Sequence, residues 1–149
     1  VQTCALPIYP QEQLSLPAEG LRLGVQGSIE LPDGRAIASE LMEGGLSGEV
    51  PRSPVIVELD ADSVEGELRV RFPAPGDRFY PLGAPGSRRL SRFLADAGVP
   101  REERSRVPLV FSNDQLIWAA GIRPAHGVRV SPRTTQRLRL TLHRAAPTT

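Results

Sequence analysis

The sequence contains no lysine, and all 18 of its basic residues are arginine. A phosphate-binding loop of the GxxxxGK[ST] type and Schiff-base chemistry both need lysine, so both kinds of site are excluded from these residues. A GC-rich genome accounts for the bias itself. Arginine still has its own chemistry, because its planar guanidinium presents donors that fit phosphate or carboxylate and keeps its charge when partly buried.

Cysteine is nearly absent too. The single cysteine, Cys4, lies in VQTCALPI, residues 1–8, which resembles a translated sequencing adapter and is therefore left out of the fold prediction. Without Cys4, no disulfide framework and no cysteine-based metal site remain. We expect the natural chain to begin near Tyr9 and to have lost upstream sequence, with residues 9–20 as a linker or the remnant of an upstream domain.

Long hydrophobic runs are also missing. No apolar run approaches the roughly 18 residues that a membrane-spanning helix needs, and the N-terminus lacks the basic and apolar regions of a signal peptide. A chain of 149 residues that is 40% hydrophobic and 23% charged is typical of one globular domain or two small lobes. We therefore expect a cytoplasmic protein with no membrane partner.

Charge is divided unequally between the two halves of the chain. Residues 1–67 carry 12 acidic and 3 basic side chains, whereas residues 68–149 carry 5 acidic and 15 basic ones. A half this basic is the electrostatic footprint expected for binding a polyanion such as nucleic acid. Charge alone leaves an equal alternative, in which the basic half docks on the acidic half of its own chain.

Hydrophobic alternation predicts mostly β-strands. Residues 21–67 form an acidic β-rich segment, with a hairpin around the turn Pro32–Gly34, a loop over residues 43–54 and a strand in PVIVELDAD. Residues 68–143 form a basic segment that opens with the strand LRVRF and closes with RLRLTL, in which leucines alternate with arginines. Residues 144–149 are a tail.

One amphipathic helix is predicted after the loop PAPGDRFYPLGAPGS. Ser87 is a suitable N-cap, and Leu90, Phe93, Leu94 and Ala97 have the spacing of one buried helical face. A short second helical turn follows in REERSR. Because the first loop is rich in proline and glycine, it has few accessible conformations and little entropy to lose on folding.

Three arginines stand near the predicted start of this helix: Arg88, Arg89 and Arg92. The helix macrodipole disfavours cations there by roughly 0.3–1 kcal/mol. Arginines beside the free N–H groups of a first turn therefore predict an anion site, for which RNA phosphate is one candidate. Three solvated arginines on an exposed face are the simpler alternative, and the cationic faces of the strands favour the anion site over it.

Other candidates for chemistry are better interpreted as structure. Asp60 and Asp62 form a turn with Ser63 rather than a metal or acid–base pair, because no third ligand lies nearby. His126 has no acid or nucleophile within its segment, so we interpret it as a loop residue. Two aromatic residues with apolar neighbours are assigned to the core: Phe111 and Trp118. No catalytic constellation and no metal site are predicted.

Four ordered runs carry a family resemblance: LRVRFPAPGDRFYPLG, SRRLSRFLADAGVPREERSRVPLV, QLIWAAGIR and RTTQRLRLTL. Together they resemble the C-terminal domain of bacterial tRNA(Ile)-lysidine synthetase. The resemblance covers residues 55–142, and more loosely the hairpin of residues 21–42. The family usually has lysine at its basic pair, which arginine replaces here with the charge kept. The matching positions are Arg71, Gly76–Phe79, Pro81–Gly83, Arg88 and Arg89, Pro100 and Arg104, Pro108 and Leu109, and Ile117 and Trp118.

The resemblance implies an α+β fold, a compact β-rich sandwich with one amphipathic helix and a short second helical turn, related to a domain of phenylalanyl-tRNA synthetase. It implies that the whole enzyme is a ligase, which uses ATP with magnesium to adenylate the wobble cytidine of tRNA(Ile) and then attaches lysine. That chemistry belongs to an N-terminal ATP-pyrophosphatase domain, whose signature loop is absent from this sequence. The C-terminal domain is implied to hold the tRNA toward its acceptor stem.

Charge, helix pattern and resemblance together predict six RNA-binding residues: Arg71, Arg78, Arg88, Arg89, Arg92 and Arg104. Two alternatives stay open. One is a stand-alone RNA-binding module. The other is a structural interdomain domain without RNA contact, in which the arginines pair with acids of the acidic half or of an upstream domain.

Overall fold

The structure is a computed structural model, and it describes residues 20–24, 26–44, 55–64 and 67–144. Four predicted segments lie wholly or mostly outside these ranges: the adapter-like residues 1–8, residues 9–19 of the predicted linker, most of the predicted loop of residues 43–54, and residues 145–149 of the predicted tail.

Eleven strands and one α-helix make up the regular structure of the described residues. The strands are β1 Leu21–Leu23, β2 Gly27–Glu30, β3 Ala36–Glu43, β4 Ile56–Asp60, β5 Leu68–Arg71, β6 Arg78–Phe79, β7 Arg88–Arg89, β8 Leu109–Ser112, β9 Gln115–Ala119, β10 Arg123–Pro124 and β11 Gln136–His143. The helix is α1, Leu90–Asp96, and the short 3-10 helices are Ala61–Ser63, Arg101–Arg106 and His126–Val128.

The strands form two main antiparallel sheets and a small ribbon. The five-stranded sheet has the order β1-β5-β8-β9-β10, the four-stranded sheet has the order β2-β3-β11-β4, and β6 pairs with β7. The acidic and basic segments each contribute strands to both main sheets. The change of charge at residue 67 is therefore not a boundary between two structural units.

Both sheets and α1 bury their apolar faces in one core. The five-stranded sheet contributes Trp118 on β9 and Val70 on β5. The four-stranded sheet contributes Leu138 and Leu140 on β11, and α1 contributes Phe93. All five side chains are buried. The predicted α+β class is thereby confirmed: two sheets and one short helix enclose a single apolar interior.

The alternating pattern of β11 fixes how the four-stranded sheet faces the core. Leu138 and Leu140 are buried, whereas Arg137 and Arg139 lie on the opposite face, as the period of two predicts. β11 pairs with β3 on one side and with β4 on the other. The predicted hairpin joins β2 to β3, and its turn is closed by the N–H of Gly34, which donates to the carbonyl of Leu31 at 3.0 Å.

Candidate nucleic-acid interface

The site is built on the loop that follows β5, and the ion pair between Arg71 and Asp77 fixes that loop. The two Nη atoms of Arg71 donate to the carboxylate of Asp77 at 2.9 and 2.8 Å, and the N–H of Ala74 donates to it at 2.8 Å. The guanidinium also lies 4.3 Å from the ring centroid of Phe111. Burial raises the pKa of Asp77, but Arg71 and the Ala74 N–H outweigh it and hold that pKa below its usual range. Arg71 is therefore held in a structural contact.

Arg88 and Arg89 lie in a strand. The prediction that a helix starts directly after Ser87 as its N-cap was therefore wrong. Arg88 and Arg89 form β7 and pair with β6, and α1 begins only at Leu90. The reason is long-range pairing, because the loop brings Arg78 and Phe79 back alongside them. Ser87 is not a cap, and its hydroxyl lies 3.3 Å from Nη2 of Arg78.

Strand pairing places two arginines side by side. Arg78 lies directly opposite Arg89 in the register of β6 and β7. Side chains opposite each other in an antiparallel pair share a face, with Cβ atoms about 4.5–5.5 Å apart, and like charges there are destabilising. Both residues are exposed, and within the described ranges no carboxylate forms an ion pair with either. We call this pair, Arg78 and Arg89, the arginine ribbon.

The other two arginines near the helix share one acid. Arg88 forms an ion pair and hydrogen bond with Asp96, and Nε of Arg92 lies 3.7 Å from the same carboxylate. One negative charge thus offsets part of two positive charges. The Arg92 side chain is 75% exposed, so its contact with Asp96 is weak and screened by solvent.

Arg104, the last of the six predicted residues, lines a small cleft beside the arginine ribbon. Arg89 and Arg104 both line a cavity of about 300 Å³, together with the loop around Gly76 and the first residues of α1. The Nε of Arg104 donates to the carbonyl of Val99 at 2.9 Å, which fixes the side chain without neutralising it. Arg78, Arg89 and Arg104 therefore carry charge that no acid of the described residues pairs with.

The region that carries these arginines also matches a known protein family. Residues 68–140 match the family model of the TilS substrate C-terminal domain, the region that contains all six predicted arginines. Residues 68–140 belong to that family.

The relatives and solved structures extend the match beyond those residues. The tRNA(Ile)-lysidine synthase of Dehalococcoides mccartyi is 34% identical over 83% of this chain and 26% of its own length. The corresponding synthase of Symbiobacterium thermophilum is 35% identical over 85% of this chain and 28% of its own length. The chain thus spans about a quarter of the length of these relatives.

Two solved structures share the architecture. A crystal structure of a TilS C-terminal domain superposes with a TM-score of 0.70 at 28% identity, covering 85% of this chain and 95% of that one. An N-terminal fragment of the phenylalanyl-tRNA synthetase β-subunit from Pyrococcus horikoshii superposes with a TM-score of 0.57 at 14% identity, over 87% of this chain and 46% of that one. The second match concerns the fold alone, and it agrees with the predicted relationship.

In this TilS C-terminal domain, a buried carboxylate of the same domain forms ion pairs with the arginines on one face of β11. Nη1 of Arg137 lies 2.7 Å from Oε1 of Glu58, and Nη2 of Arg139 lies 2.6 Å from Oε2 of the same residue. The Glu58 side chain is only 2% exposed. Burial raises its pKa, but the two arginines outweigh that effect and lower the pKa below its usual range. These strand arginines, which favoured RNA binding in the sequence, are paired with the acidic segment instead.

The structure also adds an aromatic pair that the sequence did not indicate. The rings of Tyr80 and His126 are stacked, with centroids 4.9 Å apart and planes 10° from parallel. His126 lies in a loop, as predicted, within a short 3-10 turn. No local sequence pattern predicts this stack, because the pairing of distant backbone segments brings the two residues together.

Two interpretations of acidic and apolar residues are confirmed. Ser63 donates to Asp60 at 2.7 Å in a turn, and Phe111 and Trp118 are buried in the core. Among the described residues, no three His, Cys, Asp or Glu side chains are grouped so as to hold a metal ion. No helix in the same residues is long and apolar enough to cross a membrane.

Proposed function

We propose that this domain holds tRNA(Ile) for a lysidine synthase, with the arginine ribbon and Arg104 binding backbone phosphates. The observation that carries the proposal is the cross-strand pair Arg78–Arg89, two exposed cations that lie opposite each other with no acidic partner among the described residues. A phosphate between them relieves their repulsion and accepts charge-assisted hydrogen bonds from both guanidinium groups. The adjoining cleft supplies Arg104 to a neighbouring phosphate.

We further propose that the domain acts with an ATP-pyrophosphatase domain in the cytoplasm. In that whole enzyme, ATP with magnesium activates the wobble cytidine of tRNA(Ile), and lysine is then joined to it. The identity with synthases along most of this chain supports the assignment. The part assigned to this domain is binding and orientation, because its described residues offer arginines without an acidic partner and two clefts beside them.

The six predicted arginines do not contribute equally to this proposal. Arg71 is engaged by Asp77 and Phe111, so its proposed role is to fix the loop that carries Arg78. Arg88 and Arg92 share Asp96 and add a smaller net charge.

A structural interdomain role is the second candidate, and one observation favours it. Arg137 and Arg139 bind Glu58 of the acidic segment, as a purely structural set of arginines would. That interpretation accounts for the paired arginines, but it gives no reason for placing Arg78 opposite Arg89. A stand-alone RNA-binding module would share the arginine ribbon and differ only in needing no partner domain.

The proposal is tested by reversing the charge of the arginine ribbon. We expect the double variant Arg78→Glu with Arg89→Glu to bind a tRNA(Ile) transcript at least tenfold more weakly than the unaltered chain. The loss of one hydrogen bond to a charged group costs about 1.5–3 kcal/mol, and each 1.4 kcal/mol is a factor of about ten. Filter binding at fixed ionic strength measures the change.

The matched control is Arg133→Glu with Arg144→Glu. It changes the net charge equally, at exposed arginines that flank β11 of the four-stranded sheet. We expect this control to change affinity by less than about threefold, through long-range electrostatics alone. Equal losses in both variants, or no loss in the first with its thermal stability kept, would refute the proposal and favour the structural role.

A further inference from the structure

A second cleft, larger than the one beside Arg104, lies on the other side of the arginine ribbon. It has a volume of about 680 Å³, within the size range of small-ligand sites. Arg78 and Ser87 line this cleft, and so does the turn between β8 and β9. Tyr80 lines it as well. Its surroundings therefore combine a cation, an aromatic ring and polar groups.

The Tyr80 ring is held as a platform. His126 stacks behind it at 4.9 Å, and its N–H donates to the carbonyl of Tyr80 at 2.8 Å. The next residues continue the pairing, since the N–H of Leu82 donates to the carbonyl of Pro124 at 3.0 Å. Tyr80 is 38% exposed and lines the cleft, whereas His126 does not. One face of the tyrosine ring is thus covered by His126, while Tyr80 itself lines the cleft.

The turn between β8 and β9 carries hydrogen-bonding groups of both kinds. Asn113, Asp114 and Gln115 are exposed and line the cleft, so it holds amide donors and carbonyl or carboxylate acceptors in addition to the Tyr80 side chain. Asn113 has φ of 53°, a left-handed conformation that asparagine tolerates in a tight hairpin turn. The turn is thus a fixed wall of the cleft.

We propose that this cleft binds one unpaired nucleotide of RNA. Its base stacks on the free face of Tyr80, its phosphate meets Arg78, and the polar edge of the base faces the turn at Asn113–Gln115. Every base has a π-face, so an aromatic platform beside a cation is the chemistry that single-stranded nucleic acid requires. The proposal rests on the proposed RNA-binding function and adds a contact for a single strand to the phosphate contacts of the arginine ribbon.

A protein partner is the competing occupant, and the arrangement of charge argues against it. An exposed tyrosine alone would suit an apolar contact with protein. Here Tyr80 shares the cleft with Arg78, which has no acidic partner among the described residues, and with the polar turn between β8 and β9. Leu82 belongs to the same exposed loop, with 39% exposure, yet it does not line the cleft. It therefore serves as the internal control for a general apolar contact.

The test uses two RNA probes, a short single strand carrying one 2-aminopurine and a blunt-ended duplex without unpaired nucleotides. With the unaltered chain we expect the single strand to bind with quenched 2-aminopurine fluorescence, as stacking produces. Tyr80→Ala should lose the quenching and bind the single strand roughly 5- to 150-fold more weakly, the range for one base–aromatic stack. Its duplex affinity should stay within about twofold, because the phosphate contacts are kept.

Two variants complete the test. Tyr80→Phe keeps the ring and should preserve both the quenching and the affinity, whereas Leu82→Ala should change neither. Unchanged single-strand affinity in Tyr80→Ala would overturn the inference, as would an equal loss in Leu82→Ala, and either result would assign the loop to a protein partner. Neither affects the proposed function, which charge reversal at Arg78 and Arg89 and its matched control test separately.

Discussion

Replacement of Glu58 by glutamine is expected to destabilise the domain strongly, although the substitution keeps the shape of the side chain. Glu58 is 2% exposed and is the carboxylate that binds both Arg137 and Arg139. In Glu58→Gln, two guanidinium groups remain on one face of β11 with a neutral amide between them. The amide oxygen can still accept from one guanidinium, but the amide nitrogen offers the other no acceptor, and the repulsion between the two arginines is no longer offset.

The magnitude follows from burial. A hydrogen bond to a charged group contributes about 1.5–3 kcal/mol, so two such bonds set an upper limit of about 3–6 kcal/mol. The arginines are 13% and 35% exposed, and they recover part of this loss by turning toward solvent. We therefore expect the free energy of unfolding to fall by about 2–3 kcal/mol, which for a domain of this size lowers Tm by roughly 8–12 °C.

Glu67 provides the matched control, because it also binds two arginines. Its carboxylate lies 3.0 Å from Nε of Arg22 and 2.9 Å from Nη2 of Arg69, but its side chain is 44% exposed. Glu67→Gln should lower the free energy of unfolding by less than about 1 kcal/mol. Urea unfolding of both variants measures the difference. If Glu58→Gln costs no more than Glu67→Gln, burial does not decide the strength of these contacts and the reasoning is refuted.

Two further predictions concern the fold. Gly20→Ala should lower the free energy of unfolding by about 1–3 kcal/mol, because φ is +83° there and a Cβ would lie 2.8 Å from the carbonyl oxygen of Val70. Gly27→Ala, with open space around its Cβ position, should be nearly neutral. Urea unfolding measures both, and equal losses of stability would contradict this prediction. Stability should also fall as pH drops below about 5, since the lowered pKa values of Glu58 and Asp77 mean that the unfolded chain takes up protons first. Glu58→Gln should flatten this loss, and an unchanged slope of stability against pH would show that Glu58 does not contribute.

The sequence predicted elements wherever local periodicity decides the structure. The alternation in RLRLTL and the hairpin at Pro32–Gly34 needed only the period of a strand and a turn, and both are present. Leu90, Phe93 and Leu94 are buried as the helical spacing predicts. Ala97 is exposed, because the helix ends at Asp96 and Gly98 adopts φ of 82° just beyond it.

The failures arise where distant segments meet. Arg88 and Arg89 fit a helix start locally, yet their pairing with β6 makes them a strand. The cationic face of β11 favoured an anion site in the sequence, but Arg137 binds Glu58, 79 positions earlier in the chain. Periodicity shows which side chains share a face, whereas register decides which charges meet. For the same reason the sequence supplied the six arginines but not their division into paired and unpaired sets.

The central claim is that Arg78 and Arg89 bind RNA phosphates, and the salt dependence of tRNA(Ile) affinity tests it most directly. Phosphate contacts release counterions, so log Kd should vary linearly with log salt concentration. We expect Arg78→Ala and Arg89→Ala each to reduce the magnitude of that slope by about 1, and the double variant to reduce it by about 2. A slope that is unchanged in the double variant would contradict the claim and leave the arginine ribbon without a role in RNA binding.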